Sequence, residues 1–134
     1  MDTIATQLRA LQFLSHRAHN MVKGPTFFED HEFLGEIYPA YEAAFDSVIE
    51  RIIGTGSATV SIVKINKAAA EMSSVAPQET KPDVFLRIIL KGEKDLCALI
   101  DKAMSKASNG TQNLLQGLCD QSEMRQYQLK QRLG

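Results

Sequence analysis

The stretch TFFEDHEFLGEIYPAYEAAFDSVIERIIG, residues 26–54, decides the fold. Its side chains Phe27, His31, Leu34, Tyr38, Tyr41, Phe45, Val48, Ile49 and Ile52 recur every three or four residues, the period of an amphipathic helix rather than of a strand. Thr26 as N-cap, Glu29 three residues on and Asp30 in the first turn start this helix, and Gly54-Thr55-Gly56 stops it. Pro39 removes one backbone hydrogen bond and crowds the preceding turn, which predicts a kink inside one continuous helix. About a quarter-turn from the stripe lies a second face carrying Phe28, Gly35, Pro39, Asp46, Glu50 and Ile53. That face is too apolar for free solvent and is expected to be covered by a partner.

Working outward, Ile4, Leu8, Leu11, Leu14, Ala18 and Val22 form the stripe of a helix from about Thr3 to Val22, ended by Gly24-Pro25. Residues 57–70 read as a short helix, because the strand-like run Thr59 to Val63 has no other strand to pair with. Residues 73–81 read as loop, so the whole connection is long enough to span a bundle and let the helices on either side of it run parallel. Pro82 and Asp83 open a helix with Phe85, Ile89, Leu96, Leu99, Ala103 and Ala107 on one side, broken at Ser108-Asn109-Gly110. A last helix from about Thr111 to Leu133 places Leu115, Leu118, Leu129 and Leu133 on one face, diluted by Ser122, Arg125 and Gln126. The fold class is therefore all-α: a ferritin-like four-helix bundle whose long crossover carries a short extra helix, in a single domain over residues 1–134.

Composition narrows the function. One domain of 134 residues with net charge −1 has no basic excess to attract a phosphate backbone. No window approaches 18 uninterrupted apolar residues and the N-terminus lacks a signal pattern, so the expected location is cytoplasmic, without membrane partners. Cys97 and Cys119 sit among Leu and Ala in helical patterns and read as small hydrophobes rather than a redox pair.

Chemistry is suggested in one place. His19 and His31, with Asp46 and Glu50 at helical spacing on the next segment, are metal-type ligands, and imidazole combined with carboxylate suits ferrous iron or zinc. The inward Glu-x-x-His pairs of di-iron bundles are missing. If the four residues form a site, the second face of residues 26–54 makes them meet across a subunit contact, and a two-fold axis then generates two equivalent sites per dimer.

From Leu14 to Arg51 the chain resembles the Dps family of mini-ferritins: His19, Val22-Lys23-Gly24, Phe27 or Phe28, His31, Asp46 and Glu50-Arg51 fall at that family's intervals. The resemblance implies a hollow shell of twelve subunits, assembled through two-fold dimers, that oxidises ferrous iron with hydrogen peroxide and stores the ferric mineral. It also implies that His19 and His31 are the ligands from one subunit and Asp46 and Glu50 those from its neighbour, holding one or two irons, with zinc as another metal the set accepts.

Departures from the family pattern bear on activity. Where many members carry an aspartate one turn after the second histidine, this chain has Gly35, and the tryptophan that often follows the first histidine is Asn20. Residues 108–113 are neutral where family shells line an entry channel with acids, leaving Asp120 or Glu123 to attract cations. Lys130 and Arg132 are two cations at a helix end in place of a lysine-rich tail, so duplex binding is expected to be weak or nil.

Other readings stay open from the residues. Asp46, Glu50 and Arg51 also suit an interfacial ion pair with Arg51 or Lys23, and His16 suits a surface role or one behind the ligands. The row Tyr38, Tyr41 and Phe45 reads as core. A shell of the same fold whose metal site has decayed through Gly35, and an unrelated monomeric helical adaptor, are the alternative functions.

Overall fold

The computed structural model describes residues 1–56 and 59–134. Among the described residues five helices follow one another: α1 Asp2–Met21, α2 Phe27–Gly54, α3 Ile62–Met72, α4 Pro82–Met104 and α5 Asn109–Leu133. α1 and α2 form one antiparallel hairpin and α4 and α5 the other, while α3 lies against α1 within the crossover. Asp30 of α2 shares Arg132 with Asp83 at the start of α4, and Tyr41 of α2 reaches Glu93 further along α4, so α2 and α4 run parallel as expected.

The apolar stripes close on a common core. Ile4, Leu8, Leu11, Leu14, Ala18 and Val22 of the first segment are all buried, as are Leu34, Tyr41, Phe45, Val48, Ile49 and Ile52 of α2. Phe85, Ile89, Leu96, Leu115, Leu118 and Leu129 complete it from the second hairpin. Gly24, at φ 120°, makes the left-handed turn between α1 and α2 that a side chain would resist. The crossover is tied down at its far end, where the Lys23 amide donates to the Thr80 carbonyl and Arg17 donates to the Ala76 carbonyl.

Several boundaries differ from the sequence reading. The extra helix begins at Ile62, where the Ser61 hydroxyl accepts the Lys64 amide; Thr59 and Val60 are not helical, and Ser57 and Ala58 lie outside the described residues. Ser108 likewise caps α5 by accepting the Thr111 amide, so Asn109 and Gly110 form its first turn instead of a break. Thr26 holds the N-cap position of α2 but makes no side-chain cap bond: its hydroxyl accepts from Arg132 Nη2 at 3.0 Å and donates to Asp30 Oδ2 at 2.6 Å. α2 continues as one helix through Pro39.

Within the bundle a charged cluster replaces apolar packing. Glu93 is fully buried and accepts from the Tyr41 hydroxyl, the Ser122 hydroxyl and the Arg125 guanidinium. Arg125 also lies over the Tyr41 ring, 4.7 Å from its centroid. Burial pulls the Arg125 pKa down, but Tyr41 and Glu93 outweigh it and hold the guanidinium above its ordinary value. Burial first, and the Glu93 carboxylate second, push the Tyr41 phenol well above its ordinary value. A folded pKa above the unfolded one means that this group's contribution is complete below about pH 10 and lost as pH rises beyond it. Urea unfolding at pH 9 and pH 11 is therefore expected to show a loss of stability that Tyr41→Phe reduces; an equal loss in both proteins would contradict the assignment.

Half-buried Cys97 donates to Ser122 Oγ at 3.3 Å on the rim of this cluster. Burial, followed by a hydrogen bond with Cys97, pushes the Cys119 thiol up to about 12, so it is protonated at neutral pH.

Candidate metal centre

The end of α1 and the start of α2 bring His19 and His31 face to face. Their rings stack with centroids 3.8 Å apart and planes 16° from parallel. Each Nδ1 bonds the other residue's carbonyl oxygen, His19 to His31 at 2.8 Å and His31 to His19 at 2.7 Å. A carbonyl only accepts, so both Nδ1 atoms carry the proton and, in the neutral rings, both Nε2 atoms keep their lone pair. Backbone-fixed tautomers of this kind are what hold imidazoles ready for a metal ion.

Aromatic rings frame the pair. Phe27 stacks on His31 at 4.8 Å, and Tyr38 lies 5.5 Å from His19 with His16 stacked flat on its other side at 4.0 Å. Tyr38 is thus a half-exposed flank of the histidine pair and not core, whereas Tyr41 and Phe45 of the same row are buried. His16 is exposed in the protomer and reaches the histidine pair only through Tyr38.

Gly35 stands one turn beyond His31 against the His19 ring. A Cβ on Gly35 would come within 2.8 Å of His19 Cε1, closer than real Cβ atoms approach, and 3.1 Å from Nδ1, tighter than most. The ring therefore occupies the space that any side chain at position 35 would need. The sequence shows the missing carboxylate; the packing shows that the His19 ring fills its place.

Asp46 and Glu50 are exposed on α2, 15 and 19 residues beyond His31, which on an α-helix is about 22 and 28 Å away. Among the described residues no three His, Cys, Asp or Glu side chains of one protomer lie close enough to hold a metal ion. Nor does Asp46 or Glu50 pair with Arg51 or Lys23 within the protomer among the described residues. Asp46 instead contributes, with Glu42, to the field on Arg9, whose guanidinium lies over the Phe45 ring at 3.5 Å. On the same outward face Phe28 is 80% and Ile53 61% exposed.

A ferritin-family model, a ferritin-like domain, matches residues 3–134, nearly the whole chain. A DNA protection during starvation protein 2 from Bacillus anthracis is 29% identical over 119 residues, covering 86% of this chain and 81% of that relative. The chain belongs to the ferritin-like domain family, and this relative is a Dps protein.

Solved Dps structures share its fold. A double histidine-to-glycine mutant of Dps from Listeria innocua superposes with TM-score 0.83 at 16% identity, covering 98% of this chain and 90% of that one. Dps from Listeria monocytogenes gives 0.81 at 19% identity, over 99% and 92% of the two chains. A Mycobacterium smegmatis Dps1 mutant gives 0.81 at 16% identity, over 99% and 91%. Membership of this ferritin-like family assigns the chain to iron storage and ferroxidase chemistry at the family level. Among the described residues no helix of this ferritin-like chain is long and apolar enough to cross a membrane.

Proposed function

We propose that this chain is a mini-ferritin whose ferrous-oxidising site is shared between two copies, His19 and His31 from one and Asp46 and Glu50 from the other. The observation that carries the reading is the reciprocal Nδ1–H to carbonyl pairing of two stacked rings, which leaves the Nε2 lone pair of each for a metal, with no ligand set completed within the protomer among the described residues. An antiparallel pairing of α2 with its twin brings the carboxylates to the histidines if the two helices cross near Pro39 and Ala40, midway between His31 and the Asp46–Glu50 turn. Pro39, Ala40 and Ala43 are exposed and small there, which permits close approach.

In this arrangement the neutral imidazoles bind the ferrous substrate, and the carboxylates favour the more highly charged ferric product. Two ferrous ions give two electrons to one hydrogen peroxide, which takes two protons and leaves as two waters, so no one-electron hydroxyl radical is released. The ferric product is then stored inside a twelve-subunit shell.

Anaerobic ferrous titration followed by peroxide tests this. The expected result is saturable binding and ferric absorbance in a dodecameric species on light scattering, with both signals lost in His31→Ala. A dodecamer that binds no iron would instead support a scaffold whose site has decayed through Gly35, and a monomer would overturn the reading altogether.

DNA is not part of the proposed function. The net charge is −1, and of the last two cations Arg132 is already committed to Asp30. No gel shift of duplex DNA is expected at about 0.15 M salt; a persistent one would contradict this.

A further inference from the structure

The C-terminal end of α5 is anchored to the segment that carries His31. Arg132 grips Asp30 with two parallel bonds, Nε to Oδ1 at 3.0 Å and Nη2 to Oδ2 at 2.9 Å. Its Nη2 also donates to Thr26 Oγ1 at 3.0 Å and approaches Asp83 Oδ1 at 3.2 Å. Asp30 is only 3% exposed, and Thr26 donates to the same carboxylate. The residue after Asp30 is His31, whose carbonyl receives the His19 Nδ1–H and whose own Nδ1–H returns to the His19 carbonyl.

We propose that Arg132 is a positioning residue for the histidine pair: docked on Asp30, it fixes the first turn of α2 and thereby the backbone carbonyl that orients the His19 ring. The inference rests on the shared-site reading of the histidines. A planar guanidinium meets a carboxylate through two bonds at once and so fixes direction as well as distance, which a lysine ammonium cannot do. The Asp83 contact adds little, because that carboxylate is 57% exposed.

The test uses the assembled protein with Co(II) as a visible-absorbing probe. Arg132→Ala is expected to weaken Co(II) binding about 10- to 100-fold and to alter its absorption bands, the range seen when groups behind metal ligands are removed. Arg132→Lys is expected not to restore the bands, and Lys130→Ala, two residues earlier on α5, to leave them unchanged. Amide exchange of residues 27–34, measured without metal, should be faster in Arg132→Ala. Wild-type bands and affinity in Arg132→Ala, or full rescue by lysine, would overturn this role while leaving the shared site standing. A wild type that takes up no Co(II) would overturn both.

Discussion

Replacing Glu93 by alanine is expected to cost the protomer about 3–5 kcal/mol of unfolding free energy, the range for removing one partner of a buried ion pair. The loss comes from what stays behind. Arg125 keeps its charge with an 11% exposed side chain, and the Tyr41 and Ser122 hydroxyls lose the acceptor both were turned toward. Removing the whole cluster should cost far less: Glu93→Leu, Arg125→Met and Tyr41→Phe together leave no orphaned charge at the core, and such apolar replacements are often neutral or stabilising. Urea unfolding of the single and combined variants checks this. A combined variant no more stable than Glu93→Ala would show that the cluster is worth more than apolar packing at that position.

The second large effect runs against the family pattern. Restoring the aspartate that many Dps proteins carry one turn after the second histidine, by Gly35→Asp, is expected to lower ferrous affinity about tenfold or more. A ligand would be added, but its Cβ would fall 2.8 Å from His19 Cε1. The ring is held in place, with His31 stacked on it at 3.8 Å and its Nδ1–H committed to the His31 carbonyl. Displacing it breaks the hydrogen bond that fixes its tautomer and turns its Nε2 away. Anaerobic ferrous titration of the variant decides the matter: tighter binding than wild type would mean that the ring moves freely and that Gly35 is simply a lost ligand.

Period and punctuation made most of the architecture legible. The stripe of residues 26–54, the Gly24-Pro25 stop and the Pro82 start located the four long helices to within a few residues, because burial of one face dominates their energetics. What escaped was polar and long-range. Glu93 sits in the buried phase of α4 between Ile89 and Leu96, and Ser122 and Arg125 sit in that of α5 between Leu118 and Leu129. On each helix alone these residues look like dilution of an apolar face; only the pairing of the two helices turns them into a satisfied network. The signal was a charged residue in core phase on two helices at once.

Arg132 was hidden for a related reason. As one of two cations at a helix end it read as a loose anchor, and its partner Asp30 is 102 positions away in the chain. Within the site, the ligand types were legible from His19, His31, Asp46 and Glu50, but the stacking of the two imidazoles and their reciprocal backbone bonds depend on the turn between α1 and α2.

Subunit complementation tests the shared site most directly. His31→Ala and Glu50→Ala proteins should each be inactive alone, since every site of either assembly lacks one ligand. Co-assembled at random, half of the dimers pair one variant with the other, and each mixed dimer carries one site with both defects and one with neither, so about a quarter of wild-type ferrous oxidation should return. No recovery in mixed shells, or activity in either variant alone, would contradict a site built from two copies of the chain.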